Sequence, residues 1–332
     1  MGRRGKWELS YLLCFIWILQ LKGTYTLKLS KLSALAVILL SNTVLAESYQ
    51  SFTSLSYAHE SYFADAPEYG FYNKGDSDNF SLSSKYYFDE RLALGPLNEF
   101  AYINTSSNVF ASAVNRNRDG SSLMHGQDTN FDSSATTYGI GGQWIVNSFI
   151  IGASYDYNES KGKWNDYSFD NDDSDVSLLI GYLFSDNFLI SAGCEENFDN
   201  ICGYTMSYNW QLEGTDYIGF SYNASDNFDI NELSSQYFFS VGEQSYLMIG
   251  GEYLHDNRDY FFAENYWSVN GSYYYDTRTS ITAYFSEDDA YGVSANYFIN
   301  QNYSVQTGYN SVVNEKNRNE YEGYYFNVTA QF

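Results

Sequence analysis

The sequence is poor in proline, histidine, cysteine and basic side chains. Its 332 residues include two prolines, three histidines and three cysteines, with 17 Lys and Arg against 41 Asp and Glu. Three cysteines are too few for a fold held together by disulfides. The formal net charge of −24 argues against nucleic acid as a partner, since phosphate binding needs a basic surface. After residue 46, no apolar run reaches the roughly 18 residues of a membrane-spanning helix.

The N-terminal residues have the parts of an export signal. A basic stretch precedes the apolar run 32–40, and Val44 and Ala46 supply small side chains at the expected cleavage positions. We therefore predict that residues 1–46 are a targeting segment that is removed before Glu47. Residues 1–26 carry a second apolar run that one signal does not need, so our hypothesis is that translation begins downstream of them.

What the sequence has in abundance is aromatic residues, arranged with a period of two. It contains 35 Tyr, 24 Phe and 6 Trp. In the last ten residues, one face carries Tyr324, Phe326, Val328, Ala330 and Phe332, and the other carries Tyr325, Asn327, Thr329 and Gln331. Such alternation is typical of a strand between one apolar and one polar environment.

The alternating unit recurs in pairs joined by short turns rich in Asn, Asp, Gly and Ser, which predicts a series of hairpins. We count an opening strand, seven hairpins and a closing strand, about 16 strands of a length that can cross a bilayer. One irregular pair is predicted at 80–88 and 97–113. The connections between hairpins are polar and are predicted as long loops, at 59–79, 115–135, 158–175, 223–233, 255–265 and 311–322.

The apolar faces place aromatic residues at their ends and aliphatic or small ones between, as in Trp267, Val269 and Tyr273. This is the girdle pattern of strands that meet lipid. The edges of an open sheet would leave backbone N–H and C=O groups without partners in hydrocarbon, so the predicted sheet must close into a barrel. We predict an all-β transmembrane antiparallel β-barrel over residues 47–332, with short periplasmic turns and long extracellular loops. A secreted sandwich or propeller is the alternative.

One motif resembles a known family. Lys85-Tyr86-Tyr87-Phe88 is followed by Gly95-Pro96-Leu97-Asn98-Glu99-Phe100-Ala101-Tyr102-Ile103-Asn104. This pattern resembles Gram-negative outer-membrane porins, and more narrowly the general bacterial porin family of marine gammaproteobacteria. The spacing does not match the acidic constriction-loop motif of enterobacterial porins.

The resemblance implies a location in the cell outer membrane, among lipid and lipopolysaccharide. It implies a water-filled pore for passive diffusion of small hydrophilic solutes and ions, without a cofactor, and a homotrimer. Phe332 resembles the terminal aromatic residue by which the barrel-assembly machinery recognises its clients.

Polar and aromatic residues on the predicted inner faces are our pore-lining candidates: Asp156, Glu252, Asn209, Gln211, Asn270, Gln306, Tyr274 and Tyr284. Acids at a water-filled mouth attract cations, so we expect a cation-preferring channel. Arg116, Arg118 and Arg258 are predicted in loops, opposing the acids.

Two alternatives stay open. The inward tyrosines fit a substrate-specific channel for sugars or aromatic solutes. A non-conducting surface barrel, an adhesin or structural anchor, would need a plug domain. The longest predicted strand-free stretch, 115–135, is too short for one.

Cys194 and Cys202 are predicted to form a disulfide, because they bracket a loop between antiparallel strands and export leads to an oxidising compartment. Two free thiols are the alternative. A calcium site is a weaker possibility for the acidic run Asp166, Asp170, Asp172, Asp173 and Asp175, which more often is a solvated loop. We therefore predict no metal.

An enzyme is not expected. The histidines His59, His125 and His255 lie in or next to predicted loops, and no G-x-S-x-G nucleophile motif accompanies them.

Overall fold

The computed structural model describes residues 48–66, 71–124, 127–165, 167–195, 202–258, 265–314 and 319–332. The predicted targeting segment lies outside these ranges. The described residues form 16 strands, which confirms the predicted number. They are β1 Ser48–Ala66, β2 Phe71–Leu92, β3 Asn108–Met124, β4 Gln127–Val146, β5 Phe149–Trp164, β6 Tyr167–Ser185, β7 Phe188–Glu195, β8 Cys202–Gln211, β9 Tyr217–Ser225, β10 Ile230–Ser240, β11 Tyr246–Asp256, β12 Tyr266–Tyr274, β13 Thr279–Ser286, β14 Ala290–Phe298, β15 Tyr303–Asn314 and β16 Asn319–Gln331.

Each strand pairs antiparallel with its neighbours in the chain, and β1 pairs with β16, so the sheet is a closed barrel. The last residue takes part in the closure. The N–H groups of Gln50 and Ser51 donate to the Phe332 carbonyl at 2.6 and 2.8 Å, and the Phe332 N–H donates to the Ser51 carbonyl at 2.8 Å. Closure gives hydrogen-bond partners to the backbone N–H and C=O groups at the sheet edges, which would have none in hydrocarbon. Within the described ranges, no helix has both the length and the apolar character needed to cross a membrane.

The two faces of the wall differ as the sequence predicts. Large apolar side chains point outward, where Ile140, Ile151 and Ile180 are more than 60% exposed at 61%, 61% and 65%. Such exposure would be costly in water, so it fits a surface that meets lipid. The inward positions are mostly small or polar. The two clusters of buried apolar side chains instead form inside the barrel, around an irregular segment.

Four predicted loops prove to be strand in nearly all of their described residues. Those of 59–79, 115–135 and 158–175 extend β1 to β6, which have 16 to 22 residues, whereas β7 to β14 have 8 to 11. Those of 311–322 belong to β15 and β16, and the predicted loop 223–233 shortens to the turn 226–229. The prediction was wrong because it equated polar sequence with loop. A hairpin that projects into water can be polar on both faces while its backbone pairs fully.

The predicted strand 97–113 is also wrong, since β3 begins only at Asn108. The cause is local. Gly95 has φ +131°, a backbone conformation that suits glycine, and Pro96 has no N–H to offer a neighbouring strand. The chain therefore leaves the sheet after β2, and residues 93–107, which we name the inner segment, turn into the barrel.

Candidate functional site: the barrel interior

The inner segment connects β2 to β3 at the end of the barrel where the short turns lie. Its first half is fixed to β16 and to the turn between β12 and β13. The Leu97 N–H donates to the Thr277 carbonyl, in the turn between β12 and β13, at 2.9 Å. The Gln331 side chain of β16 donates to the Leu97 carbonyl at 3.0 Å. Pro96 and Leu97 are buried by these contacts.

The second half of the inner segment packs against other strands. Ile103 lies against Ile150 of β5 and Leu183 of β6. The Tyr102 ring lies 5.8 Å from the Tyr217 ring of β9, and a Cβ added at Gly219 would come 2.5 Å from the Tyr102 ring. The inner segment thus touches β16, β9, β5 and β6, and it crosses the lumen from one wall to another.

Glu99 is the charged residue of the inner segment and is half-buried. Its carboxylate accepts a hydrogen bond from the Tyr274 hydroxyl of β12, and Tyr274 belongs to a buried cluster with Tyr217 and Phe238. Burial raises the pKa of Glu99 above its ordinary value, and the bond from Tyr274 opposes this only in part. We did not single out Glu99 from sequence. The sequence motif that contains Glu99 is recognisable, but the strand predicted at 97–113 includes this residue.

The inner segment also identifies the inward face of the wall, because Gln331, Tyr274 and Ile150 all contact it. Alternation along each strand and the register between strands then assign the other inward residues. All eight pore-lining candidates have inward positions: Asp156 on β5, Asn209 and Gln211 on β8, Glu252 on β11, Asn270 and Tyr274 on β12, Tyr284 on β13 and Gln306 on β15. Contact of these side chains with a solute stays a prediction.

The candidates are not gathered into one cluster. Tyr274 contacts the inner segment, and the Asn209 side chain donates to the Gln211 side chain at 3.3 Å. Asp156 lies next to Gly139, where an added Cβ would come 2.5 Å from its carboxylate oxygen. The eight residues are spread around the wall, as expected of a lumen rather than a catalytic centre.

Acids predominate among the inward charged residues. The described strands place these acids inward: Glu60, Asp156, Asp173, Asp175, Glu195, Glu232, Glu252 and Asp256. The inward bases are Lys85, Arg91, Arg116 and Arg118, and Arg91 lies over the Phe100 ring of the inner segment. Arg116 and Arg118 were predicted in a loop, which was wrong, because they lie in the extended part of β3. Arg258 follows β11 and pairs with Asp256 at 2.6 Å.

Cys194 and Cys202 end β7 and begin β8, directly opposite each other, and an S–S bond of 2.08 Å joins them. Residues 196–201, the connection that they bracket, are outside the described ranges. Both cysteines are on the outward side, so the disulfide does not line the lumen.

The acidic run is divided between the two faces of β6. Asp170 and Asp172 are outward and Asp173 and Asp175 inward, while Asp166 is outside the described residues. Alternation therefore separates carboxylates that a calcium ion would need together. Among described residues, no group of His, Cys, Asp and Glu side chains is arranged to hold a metal ion.

His59, on the outward face of β1, has neighbours of catalytic type. It contacts Asp78 at 2.9 Å and the Ser61 hydroxyl at 3.5 Å, but Ser61 donates its proton to Asp76 at 2.6 Å. The hydroxyl is therefore directed to a carboxylate and not to the histidine that would have to activate it. His255 contacts Asn265 at 2.6 Å, and His125 lies outside the described ranges.

Residues 28–332 match the family model described as "Putative general bacterial porin". The chain belongs to this porin family. It is accordingly an outer-membrane channel protein, with its short turns at the periplasmic end and its longer hairpins outside. No protein of curated function matches it by sequence.

Solved porin structures are similar to this barrel at low identity. Omp33 of Acinetobacter baumannii is 14% identical, with 86% of this chain and 99% of that chain covered and a TM-score of 0.43. OpdQ of Pseudomonas aeruginosa is 9% identical, with coverage of 86% and 98% and a TM-score of 0.46. OprB of Pseudomonas putida is 12% identical, with coverage of 85% and 93% and a TM-score of 0.47.

Proposed function

We propose that this porin is a water-filled, cation-preferring channel for passive diffusion of small hydrophilic solutes, without enzymatic activity. The observation that carries the proposal is the inward face of the closed barrel, which is polar and carries more acids than bases. Polar groups on an inner wall keep water in the lumen, and an excess of fixed negative charge raises the local cation concentration.

Most of the inward acids lie on a different part of the wall from the inward bases. The bases belong to β2 and β3, whereas six of the eight inward acids belong to β5, β6, β10 and β11. In the ring order, β3 and β11 are half a turn apart, so Arg116 and Glu252 are on opposite walls. Asp156 and Asp175 are directly paired in register, and two facing carboxylates favour a cation between them.

The inner segment is the element that we propose narrows this channel. It crosses the lumen at the periplasmic end and is held there by hydrogen bonds and by buried Leu97 and Ile103. Solutes would pass along the space between the inner segment and the wall. The narrowing element would then be a periplasmic connection rather than an extracellular loop.

A reversal potential in a KCl gradient across a planar bilayer tests the cation preference. We expect the sign of a cation-preferring pore, and a potential closer to zero for Asp175→Asn, which removes an inward charge. Asp172→Asn is the matched control, since the same strand places it outward. An anion-preferring wild type, or equal effects of the two variants, would contradict the electrostatic proposal.

One observation favours a second function. The inner segment contacts opposite walls, as a plug would, so a non-conducting surface barrel remains the competing proposal. The two differ in one readout, because a plugged barrel inserted into a bilayer would give no current steps.

We also propose the processing and partners that the sequence indicates. Residues 1–46 would be removed on export, which N-terminal sequencing of the mature protein checks. The mature barrel would contact lipopolysaccharide and form a homotrimer, which native mass measurement in detergent checks.

Phe332 would be recognised by the barrel-assembly machinery. Its ring contact with Tyr303, at 5.7 Å between centroids, would hold the closing strand in place afterwards.

A further inference from the structure

A cleft of about 210 Å³ lies between the inner segment and the wall on the side of β13 to β16. The inner segment contributes Asn98 and Phe100. The wall contributes Phe52, Ser280, Thr282, Asn296, Phe298, Ser304, Gln306, Asn327, Thr329 and Gln331. We name this space the amide cleft. It is small for a ligand pocket and is the size of one small solute.

No charged side chain lines the amide cleft, although the chain has 41 acidic residues. The nearest acid along the chain, Glu99, directs its carboxylate to Tyr274. Arg91 lies over the Phe100 ring outside the lining and donates to the Ala101 carbonyl at 3.2 Å. A charged solute would have to shed water here without meeting an opposite charge, which is unfavourable. The lining therefore favours an uncharged solute.

The polar groups of the cleft have free hydrogen-bonding capacity. Asn98 is exposed to the lumen, and neither it nor Asn296 has a hydrogen-bond partner within the described part of the chain. Gln306 makes one long bond, of 3.4 Å, to Tyr325. Each amide side chain offers both donors and an acceptor, so three amides on two walls match a solute with many hydroxyl groups.

Aromatic rings complete the lining. Phe100 packs edge-to-face on Phe52, with 5.3 Å between centroids, which holds both rings in place at the cleft. Fixed rings can cover the apolar C–H face of a sugar while amides bind its hydroxyls. We propose that the amide cleft is a binding subsite for a neutral, hydroxyl-rich solute of monosaccharide size. This inference rests on the proposed function for its role in transport, and it names the solute class of that channel.

The experiment is glucose binding to the mature barrel in detergent, measured by saturation-transfer NMR and calorimetry. Gluconate and glucosamine, of similar size but charged, are the comparison probes. We expect glucose to bind most tightly. We expect Asn98→Ala and Asn296→Ala each to weaken glucose binding about threefold to tenfold, which is the typical value of one hydrogen bond. Asn223→Ala, an inward amide of β9 that is outside the cleft and is not among the pore-lining candidates, should leave binding unchanged.

The inference is overturned if glucose does not bind, if the charged probes bind equally well, or if the cleft variants bind like the wild type. Planar-bilayer recordings on the same preparations serve two purposes. Current steps show that each variant is folded, and they distinguish a failure of the binding subsite from a failure of the proposed channel. A barrel that conducts without binding glucose refutes only the subsite. A barrel that binds glucose without conducting refutes the proposed channel and leaves the subsite.

Discussion

At the residue scale, Glu99 combines a half-buried carboxylate with a position on the element that crosses the lumen. Its raised pKa means that the buried state holds its proton more tightly than a solvated state would. The contacts that hold the inner segment against the wall, which we call its seating, are therefore most stable below the ordinary carboxyl pKa of 4.5. Seating weakens as pH rises through that value, and the loss levels off above the raised pKa.

Glu99→Gln tests this dependence, since the amide keeps the shape of the side chain and removes its titration. We expect wild-type conductance to rise as pH increases above the ordinary carboxyl pKa of 4.5, and the variant to stay near the low-pH level of the wild type. Glu213→Gln, in the exposed turn between β8 and β9, is the control and should follow the wild type. Identical pH curves for wild type and Glu99→Gln would show that Glu99 does not govern seating.

Val293 and Ser294 are neighbours on β14 that face opposite environments, since Val293 is outward and 51% exposed whereas Ser294 faces the lumen. An arginine on the lipid face near the bilayer midplane costs about 2–4 kcal/mol. We expect Val293→Arg to lose that much free energy of unfolding in lipid vesicles, measured with guanidinium. Ser294→Arg should lose about 1 kcal/mol or less. Equal losses would mean that the two faces are assigned wrongly.

At the element scale, the inner segment is a connection between two strands that crosses the lumen and packs against the wall. Replacing residues 96–103 by a short Gly-Ser linker removes its contacts with β16, β5 and β6. We expect single-channel conductance to rise roughly twofold or more, because the narrowest section limits flow. Shortening the turn 242–244, at the same end of the barrel, is the control and should not change conductance. An unchanged conductance after the segment replacement would place the constriction elsewhere.

The elements differ in how far the sequence predicts them. Strand number and facing could be predicted because a period of two is a local signal, repeated from Tyr138 to the C-terminus. The length of β1 to β6 could not, since Ser, Asn and Asp suit a loop and a water-exposed hairpin equally well. The path of the inner segment could not either. Gly95-Pro96 signals a break, but only contacts such as Leu97 with Thr277 decide where the chain goes next.

The residues that line the lumen also differ in how far the sequence predicts their positions. Alternation alone placed Asp156, Glu252 and Asn270 inward, because the neighbouring residues fix the phase. The pairing of Glu99 with Tyr274 joins residues 175 positions apart, which no local pattern carries. The amide cleft likewise depends on Asn98 meeting Asn296 across a space that exists only after the barrel closes.

At the scale of the whole molecule, closure lets one sheet separate two solvents. Lipid meets the outward aliphatic and aromatic side chains, and every strand finds a partner on both sides, with Phe332 at the seam. The inner segment then partly fills a lumen that would otherwise be open. A conducting path through this barrel is the central claim of the account.

Single-channel recording of the purified mature barrel in a planar lipid bilayer tests that claim most directly. The account predicts discrete current steps in KCl, each of a size that falls when ions are replaced by larger hydrophilic ones. Insertion into the bilayer with no steps at any voltage, for both the wild type and the variant with the replaced segment, would contradict it.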